Sequence, residues 1–164
     1  MKENNCFDLT NYEYFFVDMD GVIVITDQLI PGSVESLEEL ANFGEIFVLS
    51  NNSTRSRRKF ADNLVDLGLD IPASSIINSA FVLAKYLKES RGSTTDFVVG
   101  EEGLEKELKQ MGHRIVEPEE AGILAVGMDR YISYGKLDDA LTSLLAGADF
   151  YATNADKTFP TPDG

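Results

Sequence analysis

The segment YFFVDMDGVIV, Tyr14 to Val24, constrains this chain more than any other. Its first four residues read as a buried strand, yet the run ends in Asp18 and Asp20, one residue apart, with Gly21 directly behind. A buried carboxylate is costly unless something pairs with it. Two so close repel each other, and one tends to keep a proton unless a cation lies between them. Asp and Gly also make ordinary turns. The pair therefore reads as a site only if the rest of the chain supplies a matching partner.

Around this segment, short apolar runs alternate with amphipathic ones, as in a βαβ chain. The strand at Tyr14 to Val17 is followed by a loop rich in Val and Ile, then by the turn PGS at Pro31 to Ser33. Val34, Leu37, Leu40 and Ala41 recur at helical spacing, with Gly44 placed to end the helix. Glu45 to Leu49 is a second strand, and Phe60, Leu64 and Leu67 mark a second helix closed by Gly68. A short third strand lies around Ile76 and Ile77, with a helix through Leu87 behind it. The polar stretch ESRGSTTD, Glu89 to Asp96, is placed as a domain boundary.

The pattern then restarts. Asp96 to Gly100 is a strand, and Leu104, Leu108 and Met111 mark a helix closed by Gly112. HRIV is a possible strand, and Gly122 to Met128 a clearer one. Leu137, Ala140, Leu141 and Leu144 mark a helix with Gly147 near its end, and Phe150 to Asn154 is a last strand. The result is two consecutive α/β units, 1–90 and 91–164.

Composition narrows the function. With 164 residues, 43% of them apolar, the chain can bury one sizeable core or two small ones. It holds no apolar run long enough to cross a bilayer, and the polar Met1 to Asn11 lacks the apolar core of a signal peptide. Cys6, the single cysteine, cannot form an internal disulfide, which points to a reducing cytoplasm and a bystander near a terminus. A net charge of −14 argues against nucleic-acid and anionic-membrane partners. It would also slow a phosphorylated substrate unless the pocket is locally positive or carries a metal. TRSRRK, Thr54 to Lys59, is the only dense basic cluster.

The partner that Asp18 and Asp20 require is SNNST, Ser50 to Thr54, at the end of the second strand. Ligands of open parallel sheets bind at the carboxyl ends of strands, so two parallel neighbours would bring both groups into one crevice. Ser50 offers a hydroxyl, and the N–H groups entering the next helix offer an anion cradle. Carboxylates for a cation beside such donors for an anion suit a phosphate bridged to Mg²⁺. One aspartate could then be a nucleophile and the other a general acid and base.

FFVDMDGV, PGS, LSNNSTRSR and LG, in that order, resemble the haloacid dehalogenase superfamily, in its p-nitrophenyl-phosphatase or NagD-like branch. VVGEEGLEKEL, VGMDR, GADFYATNAD and FPTPDG resemble that branch's type-two cap, an α/β lid over the active site. The resemblance implies the N-terminal half of a Rossmann-like parallel-sheet core in 1–90, followed by most of an α/β cap in 91–164, its C-terminal part missing. It implies a Mg²⁺-dependent phosphomonoester hydrolase for small phosphorylated metabolites: a sugar phosphate, phosphoglycolate, a nucleotide or pyridoxal phosphate.

Residue by residue, the resemblance implies Asp18 as the nucleophile and a Mg²⁺ ligand. It implies Asp20 as general acid and base, with its backbone carbonyl also on Mg²⁺. Ser50 matches the phosphate-binding hydroxyl, and Asn51 the next residue, whose backbone N–H supports the phosphate. The resemblance implies Asn52 and Arg55 on the side that faces the substrate. Asp156, Lys157 and Thr158 fall where such caps reach toward the substrate, so they are candidates for specificity or a plain loop. A homodimer through the cap is the oligomer implied, with no nucleic-acid or membrane partner.

The family's third-motif lysine and fourth-motif acidic pair have no counterpart, since TPDG, Thr161 to Gly164, resembles a point inside the cap. Asp138 and Asp139 lie on an amphipathic helix and read as a solvated face. The expectation is a truncated member with little or no turnover and an apolar edge along the first strand. The alternative is a non-catalytic phosphate- or Mg²⁺-binding module, or a fragment that assembles with another chain. His113, the single histidine, is expected in an exposed loop or at a strand start. Asp129 and Arg130 read as a surface ion pair or a cap element.

Overall fold

The computed structural model describes residues 8–25 and 28–156, which leaves Cys6, Lys157, Thr158 and the TPDG end outside the described residues. The first strand, β1 (Tyr14–Asp18), leads into a two-stranded antiparallel hairpin, β2 (Val24–Ile25) and β3 (Gln28–Leu29). Next come α1 (Ser33–Leu40), β4 (Glu45–Ser50), α2 (Arg57–Asp66) and β5 (Ile76–Asn78). The strands of this unit run parallel in the order β1-β4-β5. Their register sets Asp18 opposite Leu49, and Ser50 opposite Asn78. Val48 and Ile76 are fully buried, and Phe60 and Leu64 of α2 join them with Met19 and Ile23.

Beyond α3 (Ser79–Arg91), the second unit alternates β6 (Thr95–Val99), α4 (Glu102–Gln110), β7 (Arg114–Ile115), β8 (Ile123–Val126), α5 (Tyr134–Leu145) and β9 (Asp149–Ala152). These strands form a parallel sheet in the order β7-β6-β8-β9. Side chains alternate across the pleat of β8. Ile123 and Ala125 pack with Ala84, Leu87, Leu104 and Leu108 of α3 and α4, and Leu124 packs with Ala140 of α5 on the other face. The chain is therefore an α/β protein with two parallel sheets, as its sequence pattern implies.

Several elements differ from expectation. The Val- and Ile-rich stretch after β1 is a hairpin rather than a loop, tied down because Ile23 and Val24 are core residues. Helix α3 runs on to Arg91, so ESRGSTTD comprises a helix end, a short turn and the start of β6. Among the described residues β1 is a sheet edge, and Tyr14 and Phe16 are 55% and 61% exposed on its outer face. Phe16 stacks on Phe47 at 5.5 Å. On the second unit, Tyr134, Leu137 and Leu141 of α5 are likewise more than half exposed. Among the described residues no helix is long and apolar enough to cross a membrane.

His113 begins at the edge of β7 but is buried, not exposed. Its ring fills the space between α3 and the start of β6, with Nε2 3.0 Å from the Ala84 carbonyl and Nδ1 2.7 Å from the Thr94 hydroxyl. Thr94 Oγ1 donates to Asp96 Oδ1 at 2.6 Å, while Asp96 Oδ2 accepts no hydrogen bond among the described residues. Burial pushes the Asp96 carboxyl above its ordinary range, against the opposing pull of Thr94 and His113. A raised folded-state value adds stability that is full below the unfolded carboxylate value of about 4 and is lost as pH rises through the folded one. The stability of the chain relative to Asp96→Asn is therefore expected to be greatest in acid and to fall toward neutral pH. Urea midpoints of both proteins across pH 3.5 to 7 check this, and a difference that stays flat or rises would contradict it.

Candidate active site

Asp18 is the last residue of β1, exposed at the carboxyl end of the first sheet. Met19 turns inward to 2% exposure and its N–H donates to the Leu49 carbonyl at 2.8 Å, extending the β1–β4 ladder by one residue. Alternation leaves the two carboxylates on the open side. Gly21 has φ +86°, a conformation other residues rarely adopt, and its N–H donates to the Val24 carbonyl at 2.8 Å. This tight turn carries the chain away and keeps the strand end uncovered.

Ser50, the last residue of β4, is buried at 5% exposure. Its hydroxyl donates to Asp20 Oδ2 at 2.9 Å and accepts the Asn52 N–H at 3.1 Å. The parallel pairing of β1 and β4 thus brings together two motifs thirty residues apart in sequence. The segment that follows is fixed at each step. Asn52 Oδ1 accepts the N–H and the hydroxyl of Thr54, at 2.9 and 2.7 Å. Ser79 Oγ donates to the Asn51 carbonyl at 2.8 Å, and Asn78 Nδ2 to the Arg55 carbonyl at 2.9 Å. Asn51 Nδ2 donates to Asp156 Oδ2 at 3.4 Å. Arg55 is half-buried, and with the Asn63 amide turned to suit its neighbours, the amide oxygen accepts from Arg55 Nη1 at 2.7 Å.

The start of α2 is not the open anion cradle that the sequence suggested. Ser56 Oγ accepts the Lys59 N–H at 3.3 Å, and the Arg57 N–H donates to Glu107 Oε1 at 2.7 Å. The positive end of this helix already holds a carboxylate from α4. The basic cluster is largely spent as well, with Arg57 Nε 3.3 Å from Glu107 Oε2 and Arg58 3.7 Å from Asp62. The amides left near Ser50 are those of the segment before the helix.

The second unit meets the same segment. Gly103 lies against the Arg55 backbone and donates its N–H to the Thr54 carbonyl at 3.2 Å. Fully buried Ser53 accepts the Met128 N–H at 3.0 Å and stands beside Gly127. Asp129 and Arg130 do not pair with each other. Arg130 Nη2 meets Glu101 Oε2 at 2.7 Å, which holds the Glu101 carboxyl below its ordinary range, and Asp129 takes Lys136. Asp138 and Asp139 are exposed on α5, away from any strand end.

Sequence reasoning missed Asn78, Ser79, Ser53 and Glu107, all of which brace this segment. For Asn78 a signal existed, since an Asn directly before an amphipathic run is an N-cap candidate; its Oδ1 accepts the Phe81 N–H at 2.9 Å. Among the described residues no three His, Cys, Asp or Glu side chains gather into a metal site. The oxygen donors at Asp18 and Asp20 nevertheless suit Mg²⁺, which commonly takes one or two carboxylates and keeps several waters.

At the carboxyl end of the first parallel sheet, Asp20 is thus bonded to Ser50 of the neighbouring strand, with Asp18 exposed one residue before it. The model of the haloacid dehalogenase-like hydrolases matches residues 15–114, and the chain belongs to that family. Within it, the chain falls in the p-nitrophenyl-phosphatase and NagD-like branch. A dihydroxyacetone phosphatase of Corynebacterium glutamicum (strain R) is 37% identical over 153 residues, covering 92% of this chain and 54% of that protein. The crystal structure of a 4-nitrophenylphosphatase from Thermotoga maritima superposes with a TM-score of 0.87 at 29% identity, over 95% of this chain and 60% of that one. A glycerol phosphate phosphatase from Mycobacterium tuberculosis, solved in complex with calcium, gives a TM-score of 0.84 at 26% identity, over 95% of this chain and 47% of that one. The chain thus spans about half the length of the curated relatives it matches.

Proposed function

We propose that this chain carries the phosphate-transfer half of a Mg²⁺-dependent phosphomonoester hydrolase, with core residues in 1–90 and a cap in 91–164. The observation that carries this reading is the 2.9 Å bond from Ser50 to Asp20, which gathers both motifs at the carboxyl end of β1 and β4. Relatives named as dihydroxyacetone phosphatase, sugar phosphatase and 5′-nucleotidase support small phosphorylated metabolites as the substrate class. The single cysteine favours a reducing, cytoplasmic setting, and any homodimer contact is assigned to the cap.

In this mechanism an Asp18 oxygen attacks phosphorus, and the P–O bond to the leaving group breaks as Asp20 gives that oxygen its proton. Asp20, now a carboxylate, takes a proton from water whose oxygen attacks the same phosphorus, releasing inorganic phosphate and restoring Asp18. Ser50 serves the phosphate by turning its hydroxyl from Asp20, with the Asn51 N–H beside it. Asn52 and Arg55 line the substrate side. Asp18 and the Asp20 carbonyl would hold Mg²⁺, which when bound neutralises charge on the phosphoryl oxygens.

The same bonded pair also suits a second reading, a phosphate- or Mg²⁺-binding module without turnover. Hydrolysis of p-nitrophenyl phosphate by the 164-residue chain, with Mg²⁺ or with EDTA, separates the two. Weak Mg²⁺-dependent turnover that disappears in Asp18→Asn is expected. A folded chain with no turnover above that variant would leave the binding module.

A further inference from the structure

On α4, Gly103 and Glu107 are four residues apart and so share one helical face, which looks toward the segment after Ser50. Leu104 and Leu108, one position further on, face the core of the second unit. Glu107 is 1% exposed and is not paired along its own helix; its carboxylate spans the backbone N–H and the side-chain Nε of Arg57. That N–H opens the first turn of α2, where a negative group is favoured by the helix dipole. The Arg57 guanidinium is held in turn over the Phe81 ring of α3, 3.6 Å from its centroid. A carboxylate this deeply buried persists only where charge and hydrogen bonds compensate it, and here both come from a single residue at the end of the Ser50 segment.

We infer that Glu107 is a positioning residue, which fixes the Asn51–Ser56 segment from the second unit by capping the helix into which that segment runs. The segment's service to a phosphate rests on the function proposed above; its positioning by Glu107 does not. A second unit seated on α2 through Glu107 does not swing free of the phosphate segment.

Amide hydrogen exchange and orthophosphate titration in Mg²⁺, on the full chain, test this with Glu107→Gln, Glu107→Asp and Leu108→Ala. The last variant opens a cavity on the same helix without touching the segment, so it reports simple destabilisation. Well below every unfolding transition, Glu107→Gln is expected to speed exchange across residues 51–57 about tenfold, the order of one lost charge-assisted hydrogen bond. Orthophosphate should bind about tenfold more weakly, with Glu107→Asp restoring part of both and Leu108→Ala changing neither. Exchange in 51–57 no faster in Glu107→Gln than in Leu108→Ala would overturn the inference. If the exchange pattern appears as expected but the unaltered chain binds no orthophosphate, positioning stands and the phosphate reading falls.

Discussion

Gly103→Ala is expected to destabilise the chain by about 3 kcal/mol, the upper part of the range for overpacking a closed site. A β-carbon at this position would lie 2.4 Å from the backbone N and C of Arg55 and 2.6 Å from its Cα. Non-bonded carbon atoms rest near 3.5–4.0 Å, so a shift of about 1 Å is required. The neighbour is backbone on both sides, and no flexible side chain can yield. The same shift would stretch the Gly103 N–H bond to the Thr54 carbonyl, now 3.2 Å. Helix propensity acts in the opposite direction, because alanine is better than glycine inside a helix by about 1 kcal/mol. The sign of the result therefore discriminates. A lowered urea midpoint with an unchanged slope confirms the close approach of α4 to the segment. A raised midpoint would mean that only propensity is felt, and that the two units stand further apart.

Asn78→Ala should have a comparable effect through lost hydrogen bonds instead of a clash. The Asn78 side chain is fully buried and works in two directions, accepting from the Phe81 N–H at the start of α3 and donating to the Arg55 carbonyl. Losing an N-cap costs about 1 kcal/mol, and leaving a buried carbonyl without its donor costs roughly 1–3 kcal/mol more. A total near 3 kcal/mol is expected by denaturant unfolding. Asn78→Ser keeps an acceptor for the Phe81 N–H and removes only the donor to Arg55, so it should fall between the parent chain and Asn78→Ala. Equal losses in Ala and Ser would show that the cap contributes nothing and that the bond to Arg55 carries the whole effect.

Much of the fold could be read from the order of residues, because its elements obey simple periods. Apolar runs ending in Asp18 and Ser50 mark parallel strands, and the spacing of Phe60, Leu64 and Leu67 marks the helix between β4 and β5. The pairing of Asp20 with Ser50 was legible for the same reason, since both follow strands whose carboxyl ends must share an edge. Where reading failed, the deciding contact was distant in sequence. Glu107 sits in EEGLEKELK, where one more acid on a charged helix is unremarkable, and only the arrival of Arg57 from fifty residues away explains it. His113 follows a glycine that closes a helix, a position usually solvated, and its burial depends on Ala84 and Thr94. Val22 to Ile30 lacks alternation, so nothing in it signals strands of two residues each. The same distant contact at Glu107 removed the anion cradle expected at α2.

Surface loops ordinarily absorb insertions and deletions, because their ends are fixed and their middles are not. The seven residues from Ser50 to Ser56 are built the other way. The Asn51 and Arg55 carbonyls are held by consecutive residues, Ser79 and Asn78, while Ser53 and Thr54 between them are engaged by Met128 and Gly103. Each anchor is set to a single position in the chain, so adding or removing one residue would put every later group against the wrong partner. The length of this stretch is therefore as fixed as that of a paired strand, although only Ser50 at its start lies in one. This stretch of the chain can take a substitution, but not slippage.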